Sequence, residues 1–243
     1  MNSSVFQVIP HNSHYEGAYD EREVLWRSVC AIDKARNCVQ LLGDRKSEVS
    51  SVLEVGCGTG AVLRGVKNRG VGSVHKGIDM ADPNVHPDPE VVADGLEMLE
   101  YDGSRLPFDG NSFDLVFSSH VLEHVPDERS FIGELKRVAR KYIYIEVPCE
   151  LHLRTSVRAM QRTLDIGHIN AYTPESLVLT LETSGLSVLD FKVFDHSREV
   201  HAFSTSPMAA AAKTILRGGL LKINQSLASK IFTYHCGALC VAA

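Results

Sequence analysis

Three glycines at alternate positions, Gly56, Gly58 and Gly60, close an apolar run in the stretch VLEVGCGTG. Glycine tolerates positive φ and lets a ligand approach bare backbone, and the N–H groups that open a following helix point at negative charge. This is the chemistry of a nucleotide-type site. The dinucleotide fingerprint needs its third glycine one position later, where Ala61 stands. Asp79 ends a second apolar run, SVHKGID, where a carboxylate can accept hydrogen bonds from both hydroxyls of a ribose; the plainer use of such an Asp is as a turn former or helix cap. His120 and His124 lie one helical turn apart and offer neutral imidazoles near pH 7. The histidines form no compact ligand set along the chain, so no metal is expected. Cys30, Cys38, Cys57, Cys149, Cys236 and Cys240 contain no C-x-x-C pair and read as buried thiols of a reducing cytosol.

Positioning these groups requires alternating strands and helices. Apolar runs at 51–56, 73–79, 112–119 and 141–148 read as strands, with helices at 61–67 and 128–140 between some of them. That alternation implies βαβ units around a parallel sheet. In TPESLVLTLETSG, Thr173 can cap a helix that Pro174 opens and Gly185 ends. Strands at 187–196 and 232–242 follow, separated by a helical insert from Pro207 to Lys230. Before the glycines, Leu25, Val29, Ile32, Val39 and Leu42 recur at helical spacing from Asp20 to Leu42, with Gly43 as a stop.

The spacing G-x-G-x-G preceded by Glu54 resembles the first motif of the class I S-adenosylmethionine-dependent methyltransferases. YDGSRLPFDGNSFDLVFSSHVLEHV (101–125) is similar to that family's D-x-x-x-LPF, SFD-strand and LEHV block, and GHINAYTPESLVLTLETSGLSV (167–188) to the stretch before its sixth strand. The resemblance implies a doubly wound α/β sheet of seven mostly parallel strands, the last antiparallel. Residues 1–48 would form an N-terminal segment and helical cap, and 49–243 the cofactor domain. It also implies that Glu54, Gly56, Gly58, Gly60, Asp79, Asp102, Gly103 and Ser118 bind S-adenosylmethionine, Asp102 at the adenine amino group. His120, with Ser118 and Ser119, would face the methyl group as base or acceptor-orienting residue, and His124 would catalyse or position the cofactor. Tyr15, His168, Asn170 and Tyr172 would face the acceptor. SSHV stands where exocyclic amino-group methyltransferases of bases carry N-P-P-[FY], and the LEHV type implies a small-molecule or glycan-linked acceptor methylated at oxygen.

At 44% hydrophobic and 23% charged residues, the 243-residue chain is expected to fold rather than stay disordered. A net charge of −5 argues against a nucleic-acid partner. No run of 18 apolar residues predicts a membrane span and the first residues do not read as a signal peptide, so a cytoplasmic protein is expected. From His201 onward there is no acid, while Lys213, Arg217, Lys222 and Lys230 all occur there. That segment is a solvated helix, an attractor for an anionic, for example phosphorylated, acceptor, or a weak anchor on an anionic membrane surface, interrupted by Gly218 and Gly219. Arg154, Arg158 and Arg162, at four-residue spacing, invite the first two of these readings. Two rival functions stay open: a cofactor-binding scaffold without turnover, and a nicotinamide-dependent oxidoreductase, which Ala61 disfavours.

Overall fold

The computed structural model describes residues 5–7, 21–83 and 88–243. Strands β1 (Ser51–Val55), β2 (Val74–Asp79), β3 (Glu97–Glu100), β4 (Phe113–Ser119), β5 (Ala139–Cys149), β6 (Leu186–Phe194) and β7 (Tyr234–Ala242) form one sheet in the order β3-β2-β1-β4-β5-β7-β6. The pairings among β1 to β5 are parallel, and β7 is antiparallel to both β5 and β6. The expected seven-stranded, doubly wound sheet with an antiparallel last strand is therefore present. The other elements are helices α1 (Glu21–Leu42), α2 (Ala61–Lys67), α3 (Pro89–Ala93), α4 (Glu128–Val138), α5 (Val157–Leu164), α6 (Pro174–Thr183), α7 (Arg198–Phe203), α8 (Pro207–Ile223) and α9 (Gln225–Ile231), with 3-10 turns at Gly43–Glu48 and Leu122–His124.

Every residue of β4 is buried, as expected for a central parallel strand covered on both faces. On one face Leu115, Phe117, Tyr144 and Leu239 pack against Ala35, Cys38 and Leu42 of α1 and Leu63 and Val66 of α2. On the other, Val116, Ile143, Ile145 and Ala238 meet Ile132 and Leu135 of α4 and Leu177 and Leu181 of α6. Asp127 caps α4 by accepting from Ser130 N, and a reciprocal Thr173–Ser176 box starts α6, with Pro174 in its first turn. A residue with no apolar run around it is enough for β3, a short edge strand in which only Met98 is buried.

Helix α1 turns a different face to the sheet than its large apolar residues suggest. Leu25 and Ile32 are each 56% exposed, whereas Ala31, Ala35 and Cys38 are buried. Close approach explains the choice: a Cβ placed on Gly65 of α2 would lie 2.7 Å from Ala35 Cβ, so the two helices touch through small residues. The same face buries Asp33 and Asn37. Among the described residues, no helix is long and apolar enough to cross a membrane.

Gly237 in β7 packs on the fully buried ring of Tyr144; an added Cβ would lie 2.5 Å from Tyr144 Oη. Gly237→Ala is expected to cost about 1–3 kcal/mol by overpacking and to lower Tm by about 3–10 °C, measured by calorimetric melting.

Candidate active site

The strand order reverses between β1 and β4, and in open α/β sheets the crevice beyond the carboxyl ends of the strands at such a point receives the ligand. The glycine loop lies there, between β1 and α2. Gly56 N and Cys57 N donate to Ile78 O at 2.7 and 3.1 Å, and Gly58 N donates to Asp79 Oδ2 at 2.7 Å, fastening the loop to the end of β2. Gly56, Gly58 and Gly60 have φ of +80°, +51° and +78°. Side chains at two of them would collide with the protein itself: a Cβ on Gly56 would lie 2.2 Å from Val121 Cγ2, and one on Gly60 2.6 Å from Met98 Sδ. At Gly58 the nearest atom is Arg27 Nη1 at 3.4 Å, an ordinary contact with the end of a flexible side chain, so no fixed part of the described protein crowds this glycine.

Glu54, 1% exposed, accepts Leu63 N at 2.8 Å through Oε2 and so ties β1 to the first turns of α2; burial pushes its carboxyl well above the usual range. Asp79 accepts Ala81 N at 3.1 Å with its other oxygen, and burial raises its carboxyl despite these bonds. Asp102 is exposed beyond β3, held below the usual carboxylate range by Ser104, whose hydroxyl and N–H donate to Oδ1 at 2.7 and 2.9 Å. Gly103, at φ +79°, closes on Met80, and Tyr101 N donates to Asp79 O at 3.0 Å. The expected cofactor residues thus converge on the ends of three adjacent strands. Ser118 is inside β4, its hydroxyl buried without a hydrogen-bond partner.

His120 leaves β4 with φ +60°, a left-handed backbone uncommon for a residue with a side chain and frequent at functional sites. Its N–H donates to Glu146 O at 2.8 Å. The ring, 19% exposed, has Nδ1 3.6 Å from Glu123 Oε1 and Nε2 3.5 Å from Glu146 Oε1, both carboxylates being buried. Burial, with Lys34 and His235 nearby, pushes the imidazolium far below the usual histidine range, leaving the ring neutral near pH 7. Burial raises Glu123 to about 7.

His124 Nδ1 lies 3.0 Å from Gly167 O, and its ring meets that of His168 edge-on at 4.8 Å. His168 pairs with Glu150 at 2.9 Å; burial lowers its imidazolium, but Glu150 and the nearby Glu123 raise it more. Asn170 and Tyr172 are engaged inside the protein. Asn170 Nδ2 donates to Leu122 O and Val125 O at 3.2 and 2.7 Å, and the buried Tyr172 donates to Glu128 Oε2 at 2.5 Å. These bonds shape the turn that carries His120 and His124. Tyr15, with His11 and His14, lies outside the described residues. Gln7 does reach α5, exchanging two backbone hydrogen bonds with the Gln161 side chain.

Lys34, Asn37, Glu146, His196 and His235 belong to the site, and sequence reasoning does not select them. The Tyr144 hydroxyl donates to Glu146 Oε2, Asn37 Nδ2 donates to the same oxygen at 3.2 Å, and His235 and His196 meet at 2.8 Å. Lys34 stands close enough to Glu146 and Glu123 for both to offset, in part, the lowering of its ammonium pKa by burial. The available signal is a polar Asp33-Lys34 pair and Asn37 interrupting the Cys30, Ala31, Ala35, Cys38 face of α1.

The methyltransferase domain family matches residues 53–144. Those residues run from the glycine loop's strand through the His120 turn into β5. Over that stretch the chain is similar to the S-adenosylmethionine-dependent methyltransferases. A probable tocopherol O-methyltransferase of Oryza sativa is 26% identical over 223 residues, covering 83% of this chain and 61% of that one. Ajmaline N-methyltransferase of Rauvolfia serpentina is 29% identical over 131 residues, 50% of this chain and 43% of that one. The chain thus spans less than two thirds of either relative. In fold it is similar to phosphoethanolamine N-methyltransferase 2 of Haemonchus contortus, solved with S-adenosyl-L-methionine, with a TM-score of 0.57 at 15% identity, covering 93% of this chain and 61% of that one.

The basic insert divides into two uses. Arg217, 13% exposed, pairs with Asp195 at 2.7 Å, donates to Thr233 O and lies 4.3 Å over the Tyr234 ring, so it is a fastener of the domain rather than a free attractor of anions. Arg217→Gln is expected to cost about 3 kcal/mol or more by leaving Asp195 buried without its cation, and Lys213→Gln less than about 0.5 kcal/mol, in chemical denaturation.

Proposed function

We propose that the protein transfers the methyl group of S-adenosylmethionine to an oxygen of a small-molecule or glycan-linked acceptor in the cytoplasm. The observation that carries this reading is the contact between two turns: Val121 fits where Gly56 lacks a side chain, so the glycine loop and the His120 turn border one crevice. The cofactor supplies a methyl group already activated on a sulfonium. Gly58, Asp79 and Asp102 are the groups suited to hold it, through the bare backbone at Gly58 and the carboxylates of Asp79 and Asp102. Six free, buried cysteines support a reducing compartment.

The chain's own work is then alignment, exclusion of water and management of one proton. An alcohol must lose its proton as the new carbon–oxygen bond forms, whereas a neutral amine already presents its lone pair. A neutral imidazole flanked by Glu123 and Glu146 suits the first task, because the carboxylates stabilise the imidazolium that proton uptake creates. This favours oxygen as the acceptor atom. An anionic group on the acceptor is supported by Arg154 and Arg162, which line a cavity of about 480 Å³ whose walls also carry Glu150, paired with His168, and apolar side chains.

Two measurements test the reading. Asp79→Ala is expected to weaken S-adenosylhomocysteine binding in calorimetry by about 10-fold or more, the worth of charge-assisted hydrogen bonds to ribose. Absence of binding by the wild-type protein would remove the proposal. His120→Asn keeps a residue that tolerates the left-handed backbone and is expected to lower kcat by about 100-fold, with S-adenosylhomocysteine affinity changed less than about 3-fold. Unchanged turnover would show that alignment alone runs the reaction.

A further inference from the structure

We propose that His120, Glu146 and His235 form a site for a divalent first-row transition metal, built between α1 and the carboxyl ends of β4 and β5. One ligand atom from each of the three lies within 4.8 Å of the others. The residues come from three strands or strand ends that the chain separates widely: His120 just past β4, Glu146 in β5 and His235 in β7, where antiparallel pairing sets His235 against Pro148. His120 Nε2 and Glu146 Oε1 are 3.5 Å apart. That is too long for a good hydrogen bond, but it matches the ligand-to-ligand spacing of about 3.4 Å that bonds of about 2.1 Å give around a tetrahedral cation.

The hydrogen-bond ledger points the same way. His120 Nε2 and His235 Nδ1 are both buried without a hydrogen-bond partner. Leaving two such nitrogens unmet is unfavourable, so a protein rarely builds them side by side without an occupant. The other polar atoms of Glu146 and His235 are already hydrogen-bonded, and that of His120 faces a carboxylate at longer range. Glu123 stands 3.6 Å from His120 Nδ1, Asn37 and Tyr144 donate to Glu146 Oε2, and His196 meets His235 Nε2 at 2.8 Å. Metal-binding imidazoles and carboxylates are characteristically held in this way, with the second atom of each ligand tied to a fixed partner. Charge adds to the case: Glu146 and Glu123 are buried beside Lys34, and the rings of His120 and His235 are held neutral by burial, so the pocket offers acceptors to a cation. Two imidazoles and one carboxylate select a borderline cation such as Mn²⁺, Fe²⁺, Co²⁺ or Zn²⁺ over Mg²⁺ or Ca²⁺, and leave coordination positions open.

A catalytic consequence follows that rests on the methyl-transfer reading. A hydroxyl of the acceptor at an open position would become more acidic: its O–H bond breaks, the electron pair stays on oxygen and the proton passes to solvent. With the cation bound, the open coordination position takes over the proton removal assigned above to the free imidazole, and His120 serves as a ligand, since a ring nitrogen bound to a cation cannot also take up that proton.

The test uses the full chain stripped of metal by chelation and titrated with Co²⁺. One equivalent is expected to bind and to give the visible absorption bands of nitrogen and oxygen ligation. Glu146→Gln and His235→Ala, checked for folding by circular dichroism, are each expected to weaken binding by about 10- to 100-fold. In the unaltered chain, Mn²⁺ is expected to broaden the imidazole resonances of His120 and His235 first, which needs no variant. Failure of the wild-type protein to bind at about 1 mM Co²⁺, retention of binding by both folded variants, or broadening centred on His124 and His168 would each overturn the site. S-adenosylhomocysteine binding is measured on the same samples. Its absence would remove the methyl-transfer reading while the metal titration stands, and full turnover by the stripped enzyme would remove only the catalytic consequence.

Discussion

The carboxyl edge of the sheet depends on two backbone turns being allowed to touch. Gly56 after β1 and Val121 after β4 are in contact because one of them has no side chain, and any substituent at Gly56 would meet Val121 Cγ2 at 2.2 Å. That contact sets the width of the crevice at the point where the strand order reverses. It also fixes where His120 emerges, since its N–H is bonded to Glu146 O on the neighbouring strand. The glycine at 56 is thus a packing residue, while the one at 58 meets only the flexible end of Arg27 and is the one left to a ligand. A single loop divides the two roles between alternate positions.

Behind this edge the protein buries an unusual amount of charge. Glu54, Glu123 and Glu146 are all inaccessible, and Lys34 is the cation near them. Buried charge of this kind is costly and adds little to stability unless each group is met by partners. Glu54 is met by the N–H of Leu63, and its task is mechanical, joining strand to helix. Glu123 and Glu146 are met unevenly, on either side of one imidazole. The contrast separates a carboxylate that builds the fold from carboxylates that the fold holds ready for chemistry.

The sequence discloses this architecture where local rules act and hides it where distant segments meet. The glycine loop, Asp79, the LEHV turn and the capped helix at Thr173 are legible because each is a short pattern with its own physical cause. Strand β3 is not, since EMLE is an edge strand with one buried residue and lacks an apolar run. The face of α1 misleads for a similar reason: large residues mark a stripe, but the helix closes on Gly65 through alanines. Asn170 and Tyr172 sit in a motif whose resemblance suggests contact with an acceptor, while their hydrogen bonds run to Leu122, Val125 and Glu128 within the protein. His235 and Glu146 meet across 89 positions of sequence only because β7 runs antiparallel beside β5. No spacing rule along a chain reveals such a pair.

The placement of β7 also bears on how the molecule is assembled. It is flanked on both sides, by β5 and by β6, although both are made before it during synthesis. A nascent chain bearing the first six strands therefore has an unfilled slot and two unpaired edges, of the kind that invite association with other chains. Closing the sheet requires contacts far apart in sequence, which slows folding. The crevice acquires His235 only at that final insertion, so competence for chemistry and protection from aggregation arrive in the same step.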